Sequence, residues 1–129
     1  MWPESSMITE DDIDRLVPTF YDRVRTDPIL GPIFESAIAD WPHHLERLKA
    51  FWSSVMLASG RYKGQPMIAH LRHAHAMTPE NFARWLELWK ATSAELLEAD
   101  RAASVQAKAE MIAESLQLGV HYARERSVR

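Results

Sequence analysis

The sequence predicts an all-α fold, and three observations carry that prediction. Apolar residues recur at intervals of three and four in four or more substantial runs, the period that gathers them on one face of a helix. Capping residues head these runs: Thr9 before Glu10, Asp11 and Asp12, Asp40 before Trp41 and Pro42, and Thr78 before Pro79 and Glu80. No stretch alternates apolar and polar positions between hairpin turns, so nothing reads as a strand. A four-helix bundle satisfies the long runs, but the proline corners and short intervening pieces favour crossed helices around an internal crevice.

The first helix starts at Thr9, whose hydroxyl caps it and whose following acids suit the positive end of the peptide dipoles. Ile13, Leu16, Val17, Phe20, Tyr21 and Val24 form its apolar stripe. Pro18 removes a backbone donor and crowds the preceding turn, which predicts two short helices meeting at an angle. In DPILGPIF, Pro28, Gly31 and Pro32 stop the second of these and predict a tight apolar corner. It offers Ile29, Leu30, Ile33 and Phe34 as pocket walls.

From Trp41 and Pro42 the next helix buries Leu45, Leu48, Phe51, Trp52 and Val55. His44 falls on or beside that stripe, four residues before Leu48, whereas His43 is rotated by roughly 100°. SGRYKGQP ends the helix and leaves Arg61, Tyr62 and Lys63 on an irregular segment. A short helical piece beginning at Pro66 sets Met67 three residues before His70, so His70 is expected to face inward. Thr78 opens a longer helix with Phe82, Trp85, Leu86, Leu88, Trp89, Ala91, Leu96 and Leu97 on its apolar face. After a boundary between residues 98 and 103, Val105, Ala109, Ile112, Ala113, Leu116, Leu118 and Val120 mark the last long helix. Arg124, Glu125, Arg126 and Arg129 read as a solvated tail.

Composition narrows the chemistry. With 129 residues, 47% of them hydrophobic and 26% charged, the chain fits one soluble globular domain. A net charge of -3 supplies no strong field for nucleic acid or an anionic membrane. The absence of cysteine excludes disulfides, thiolate catalysis, iron–sulfur ligation and covalent haem attachment, leaving His, carboxylate or Met for any metal. The opening MWPESSMITEDD has no basic region leading into an apolar run, and no apolar stretch approaches the ~20 residues that span a bilayer. A cytoplasmic protein without membrane partners is the expectation.

The segments FYDRVRTDPILGPIF, WPHHLERLKAFWSSVMLASGRYKGQPMIAHL and TPENFARWLELW together resemble a group III truncated haemoglobin over residues 9 to 122. The lack of a clear pair of Gly-Gly hinges around the helices fits group III better than the longer groups. The resemblance implies a single shortened globin domain over residues 1 to 129, with residues 1 to 8 as an extension and residues 123 to 129 as the tail. It also implies noncovalent haem b between the helix of His44 and the segment of His70, with His70 as the proximal metal ligand.

A neutral imidazole is a good iron donor, and its second nitrogen needs an acceptor to fix the tautomer, for which the Pro66 carbonyl stands four residues upstream. On the opposite face the resemblance points to Tyr21, His44 and Trp85 as residues that stabilise or gate a ligand. A phenol can donate to dioxygen bearing partial negative charge, an indole can only donate, and His44 can donate, hold water or move as a gate. Phe34, Leu48, Phe51, Trp52, Tyr62, Met67, Phe82, Trp89 and Ile112 complete the expected cofactor surroundings, some of them as adjacent core. Arg47, Lys49, Arg61, Tyr62, Lys63 and Arg72 are candidates for the propionates or for a solvated face.

The expected partners are dioxygen, carbon monoxide, nitric oxide or another small diatomic. Reversible ligand binding is the primary reading. Nitric oxide dioxygenation or peroxidase-like turnover, fed by an external reductase, is the alternative, since no reductase domain fits in the chain. A haem-free protein-interaction module with incidental histidines is a third. His73 and His75, with His43 or Asp40, raise a zinc site, but no HExxH arrangement supports it.

Overall fold

The computed structural model describes residues 7–71 and 73–128. Among these, every regular element is helical: α1 Glu10–Thr26, α2 Leu30–Ala37, α3 Trp41–Leu57, α4 Pro66–Leu71, α5 Pro79–Leu96 and α6 Ala99–Val128, with a 3-10 turn at Ala74–Ala76. The all-α expectation is met. No helix among the described residues is long and apolar enough to cross a membrane.

Helix α1 begins with a capping box. The Thr9 hydroxyl accepts from the Asp12 amide, and the Asp12 carboxylate accepts from the Thr9 amide. Asp12 is buried and also receives Arg15 and Arg101, the latter at 2.9 Å. Burial opposes ionisation of its carboxyl, but the Thr9 and arginine contacts win and hold it below the ordinary range.

The break expected at Pro18 does not occur, because α1 runs unbroken through it. Ile13, Leu16 and Val17 before the proline and Phe20, Tyr21 and Val24 after it are all buried on one face. That shared burial outweighs the lost amide. The Thr19 hydroxyl donates to the Arg15 carbonyl at 2.8 Å, supporting the same turn.

The DPILGPIF corner is likewise partly helical, since Gly31 and Pro32 lie in the first turn of α2, where a proline forfeits no helical hydrogen bond. Asp27 makes the corner. One carboxylate oxygen accepts from the amides of Ile29 and Leu30, and the other accepts from Arg84 Nη2 at 2.6 Å and Nε at 2.9 Å. The Arg84 bonds, outweighing burial, hold the Asp27 carboxyl below its ordinary range. Gly31 permits the close crossing, because a Cβ there would lie 2.6 Å from the Arg25 carbonyl oxygen.

Helix α3 starts as expected, with Asp40 accepting from the His43 amide, and ends at Ala58 in the left-handed region. Helix α1 packs against α2, α3 and α5, α5 packs along α6, and the short α4 rests on α6. Trp89 lies at the centre, fully buried, with Nε1 donating to the Val105 carbonyl at 3.1 Å. A smaller cluster of Phe82, Ala113 and Leu116, with Met67, Met77, Leu86 and Ile112 against it, sits beneath α4.

The structure adds detail at both ends. Ile8, at the end of the expected extension, is buried in the core. Residues 123 to 128 continue α6 rather than trailing from it, and Arg124 donates to the Ala74 carbonyl at 2.5 Å. Each further turn adds intrahelical hydrogen bonds that offset its ordering entropy, and Arg124 gains a distant acceptor.

Candidate functional site

Tyr21 comes from the buried stripe of α1. Its ring meets Phe20 edge-on at 4.7 Å and lies 5.9 Å from Phe34 of α2 and 6.1 Å from Trp41 of α3. Burial pushes the phenol up to about 12, partly offset by a hydrogen bond from Trp85 of α5.

Trp85 is held by a stack: parallel to Trp89 at 5.9 Å, which stacks on Trp52 at 4.4 Å, with Phe20 edge-on to both Trp85 and Trp89. Trp52 and Trp89 thus belong to the buried core behind Trp85. Leu48, Phe51 and Ile112 are only half-buried against that core, while Met67 and Phe82 belong to the smaller cluster. Tyr62 meets Phe51 edge-on at 5.4 Å, with the Arg47 guanidinium 5.7 Å above its ring. Arg61 is paired with Glu10 at 2.6 Å and Lys49 with Glu46 at 3.4 Å. Arg72 lies outside the described residues.

His70 sits on α4 with Nδ1 2.6 Å from the Pro66 carbonyl oxygen, the predicted partner. That contact makes Nδ1 the protonated nitrogen and leaves the lone pair on Nε2. The imidazole is exposed, not inward-facing as the Met67 spacing suggested. A six-residue helix has little packing to turn it. Its visible anchor is Met67, which sits so close to Gly119 that a Cβ on Gly119 would collide with the thioether.

His44 is half-buried on α3, perpendicular to Trp41 at 5.8 Å. Burial lowers its pKa, and the neighbouring Arg47, His70 and His43 lower it further. The His70 contribution shows that imidazoles from α3 and α4 stand within electrostatic reach of each other. A groove of about 400 Å³ between α5 and α6, lined by Met77, Leu86, Ala113, Gln117, Leu118 and Arg124 among others, is separate and contains none of Tyr21, His44 and His70.

No family model matches the chain. Residue by residue, it is 37% identical over 87 residues to the group 3 truncated haemoglobin ctb of Campylobacter jejuni, spanning 64% of this chain and 68% of that protein. The chain belongs to the group III truncated haemoglobins. A crystal structure of a group III truncated haemoglobin from Campylobacter jejuni superposes on this one with a TM-score of 0.79 at 32% identity, covering 93% of this chain and 95% of that one. The fold of this truncated haemoglobin is therefore shared almost end to end.

Two features of the site went unseen in the sequence. The Asp27–Arg84 pair links residues 57 apart along the chain, a separation no local pattern reveals. Trp41 had a local signal, standing three residues before His44 on one helix, but it reads equally as a core filler.

Proposed function

We propose that this truncated haemoglobin holds haem b noncovalently, with His70 Nε2 as the proximal ligand, and binds dioxygen and other small diatomics on the Tyr21 side. The residues suit such a group. His70 offers a free Nε2 with Nδ1 fixed on Pro66, as a ligating imidazole requires. Leu48, Phe51 and Ile112 are half-buried against the main core, apolar surface suited to a flat, greasy macrocycle. When bound, haem supplies an iron that takes a diatomic ligand in its open position.

The observation that carries the reading is the contact of His70 Nδ1 with the Pro66 carbonyl at 2.6 Å, which turns Nε2 toward a metal. Tyr21, buried among Phe20, Phe34 and Trp41, supplies the phenol that would stabilise a ligand with partial negative charge. A neutral phenol at every physiological pH follows from its raised pKa. The depressed pKa of His44 keeps its imidazole neutral and able to donate or accept near pH 7.

The test is a haem titration of purified protein followed by spectra after reduction and carbon monoxide addition, with His70→Ala in parallel. A globin-type spectrum that His70→Ala impairs and added imidazole restores is the expected result. Failure to take up haem, or an identical spectrum in the variant, overturns it. In the loaded protein Tyr21→Phe accelerates dioxygen escape by about fivefold or more, the loss of one buried hydrogen bond.

A further inference from the structure

Trp41 has no part in the site as predicted, and its indole nitrogen is anomalous. The residue is 7% exposed, and its Nε1 is the one buried side-chain nitrogen or oxygen without a hydrogen-bond partner among the described residues. Trp89 shows the ordinary arrangement, with Nε1 on a backbone carbonyl. A buried donor left without an acceptor bears its full desolvation cost, and such groups in native proteins have an explanation in function or in a bound molecule.

The surroundings of Trp41 supply one. Its ring lies 6.1 Å from that of Tyr21 and 5.8 Å from that of His44. Arg25 places its guanidinium 4.5 Å from the ring centroid while paired with Glu35 at 2.7 Å, which pins the indole plane. Tyr21 carries a hydroxyl and Trp41 an unpartnered indole N–H on rings 6.1 Å apart, and a small molecule carrying oxygen lone pairs is the class of partner that answers both.

We propose that the Trp41 indole N–H is a further donor of the ligand pocket, given to an oxygen atom, of dioxygen or of a water, held beside Tyr21. The inference rests on the reading of Tyr21 as the ligand-side donor. It makes Trp41 a specificity residue that favours oxygen-atom acceptors over carbon monoxide, a poor acceptor.

The experiment replaces Trp41 with its benzothiophene isostere, which keeps ring shape and area and removes only the N–H, and uses Trp41→Phe as a second variant. In the haem-free protein, deleting the donor leaves Tm unchanged or raises it where the N–H holds no water, and lowers it where a water contact is seen. In the loaded protein dioxygen dissociation accelerates by about three- to tenfold, while carbon monoxide dissociation stays within about twofold. The isotope-labelled Trp41 N–H resonance separates the two sources: contact with water before ligand addition identifies water, and a shift only on dioxygen addition identifies the ligand.

A lower Tm of the haem-free isostere protein with no water contact at the Trp41 N–H, or unchanged dioxygen dissociation where Tyr21→Phe accelerates it, overturns the proposal and leaves the haem reading intact. If the protein takes up no haem, the haem reading fails, and the haem-free Tm and the water contact still decide whether Trp41 is unpartnered.

Discussion

The wall that carries Tyr21 and the segment that carries His70 are built to opposite standards. Tyr21 sits in a 17-residue helix, backed by Phe20, Trp85, Trp89 and Trp52 in continuous ring contact. His70 sits in a six-residue helix, exposed, and is oriented by one hydrogen bond to its own first turn. A ligand-side donor must be held in place before the ligand arrives, since its value lies in preorganisation. In its proposed role a metal-binding imidazole needs only the right tautomer and freedom to approach, because the metal bond itself would fix its position.

The sharpest way to break this contrast is to cut each side in the haem-free protein. Trp89→Ala is expected to cost about 3–5 kcal/mol, the range for deleting a buried large aromatic, as measured by urea unfolding. His70→Ala is expected to stay within about 0.5 kcal/mol, as an exposed position does. A large loss from the histidine change would show that the α4 side is as rigid as the other.

The buried wall also predicts an alkaline limb. An unfolded tyrosine ionises near 10, whereas folded Tyr21 holds its proton to about 12. Between those values the unfolded chain has released the proton and the folded one has not, so stability falls as pH rises, by about 3 kcal/mol at most. Unfolding curves from neutral pH upward check this, and Tyr21→Phe flattens the limb.

The Asp27 corner, which ties α1 and α2 to Arg84 on α5, comes next. Asp27→Asn is expected to destabilise by about 2 kcal/mol through loss of its charge-assisted bonds, read as a shift in urea midpoint. Because its folded pKa is depressed, its stabilisation is present above the unfolded value near 3.9 and disappears as pH falls through the folded one. Arg84→Gln should not add to Asp27→Asn, since the two share one interaction.

The smallest effect joins the two sides. His44 has a lowered pKa, so as pH falls below about 6.5 the unfolded chain takes up the proton first and stability declines until folded His44 is protonated. An imidazole titration followed by NMR reports this directly. His70→Gln removes one of the neighbours that lower the His44 pKa, and the His44 midpoint is expected to rise. An unmoved midpoint would separate the two imidazoles.

Much of this was legible in the chain because it is local. Thr9, Asp40 and Thr78 act as caps where they stand, and the stripe from Ile13 to Val24 is buried as its period required. The failures were local as well. Pro18 and Gly31–Pro32 read as breaks because their backbone cost is visible in the sequence, while the burial that offsets it involves partners on α3 and α5. The terminal segment read as a tail because the Arg124 acceptor lies 50 residues away.

The sequence by itself determined the helices, their caps, the apolar faces and the Pro66–His70 turn, since each depends on residues within one or two turns of one another. Tertiary structure alone decided that Tyr21 is sealed among Phe20, Phe34 and Trp41, that Asp27 receives Arg84, that His44 feels His70, and that Trp41 is left without a partner. These depend on how helices cross. Crossing is set by whole packed faces and close approaches such as Gly31 on Arg25, which no single stretch of chain encodes.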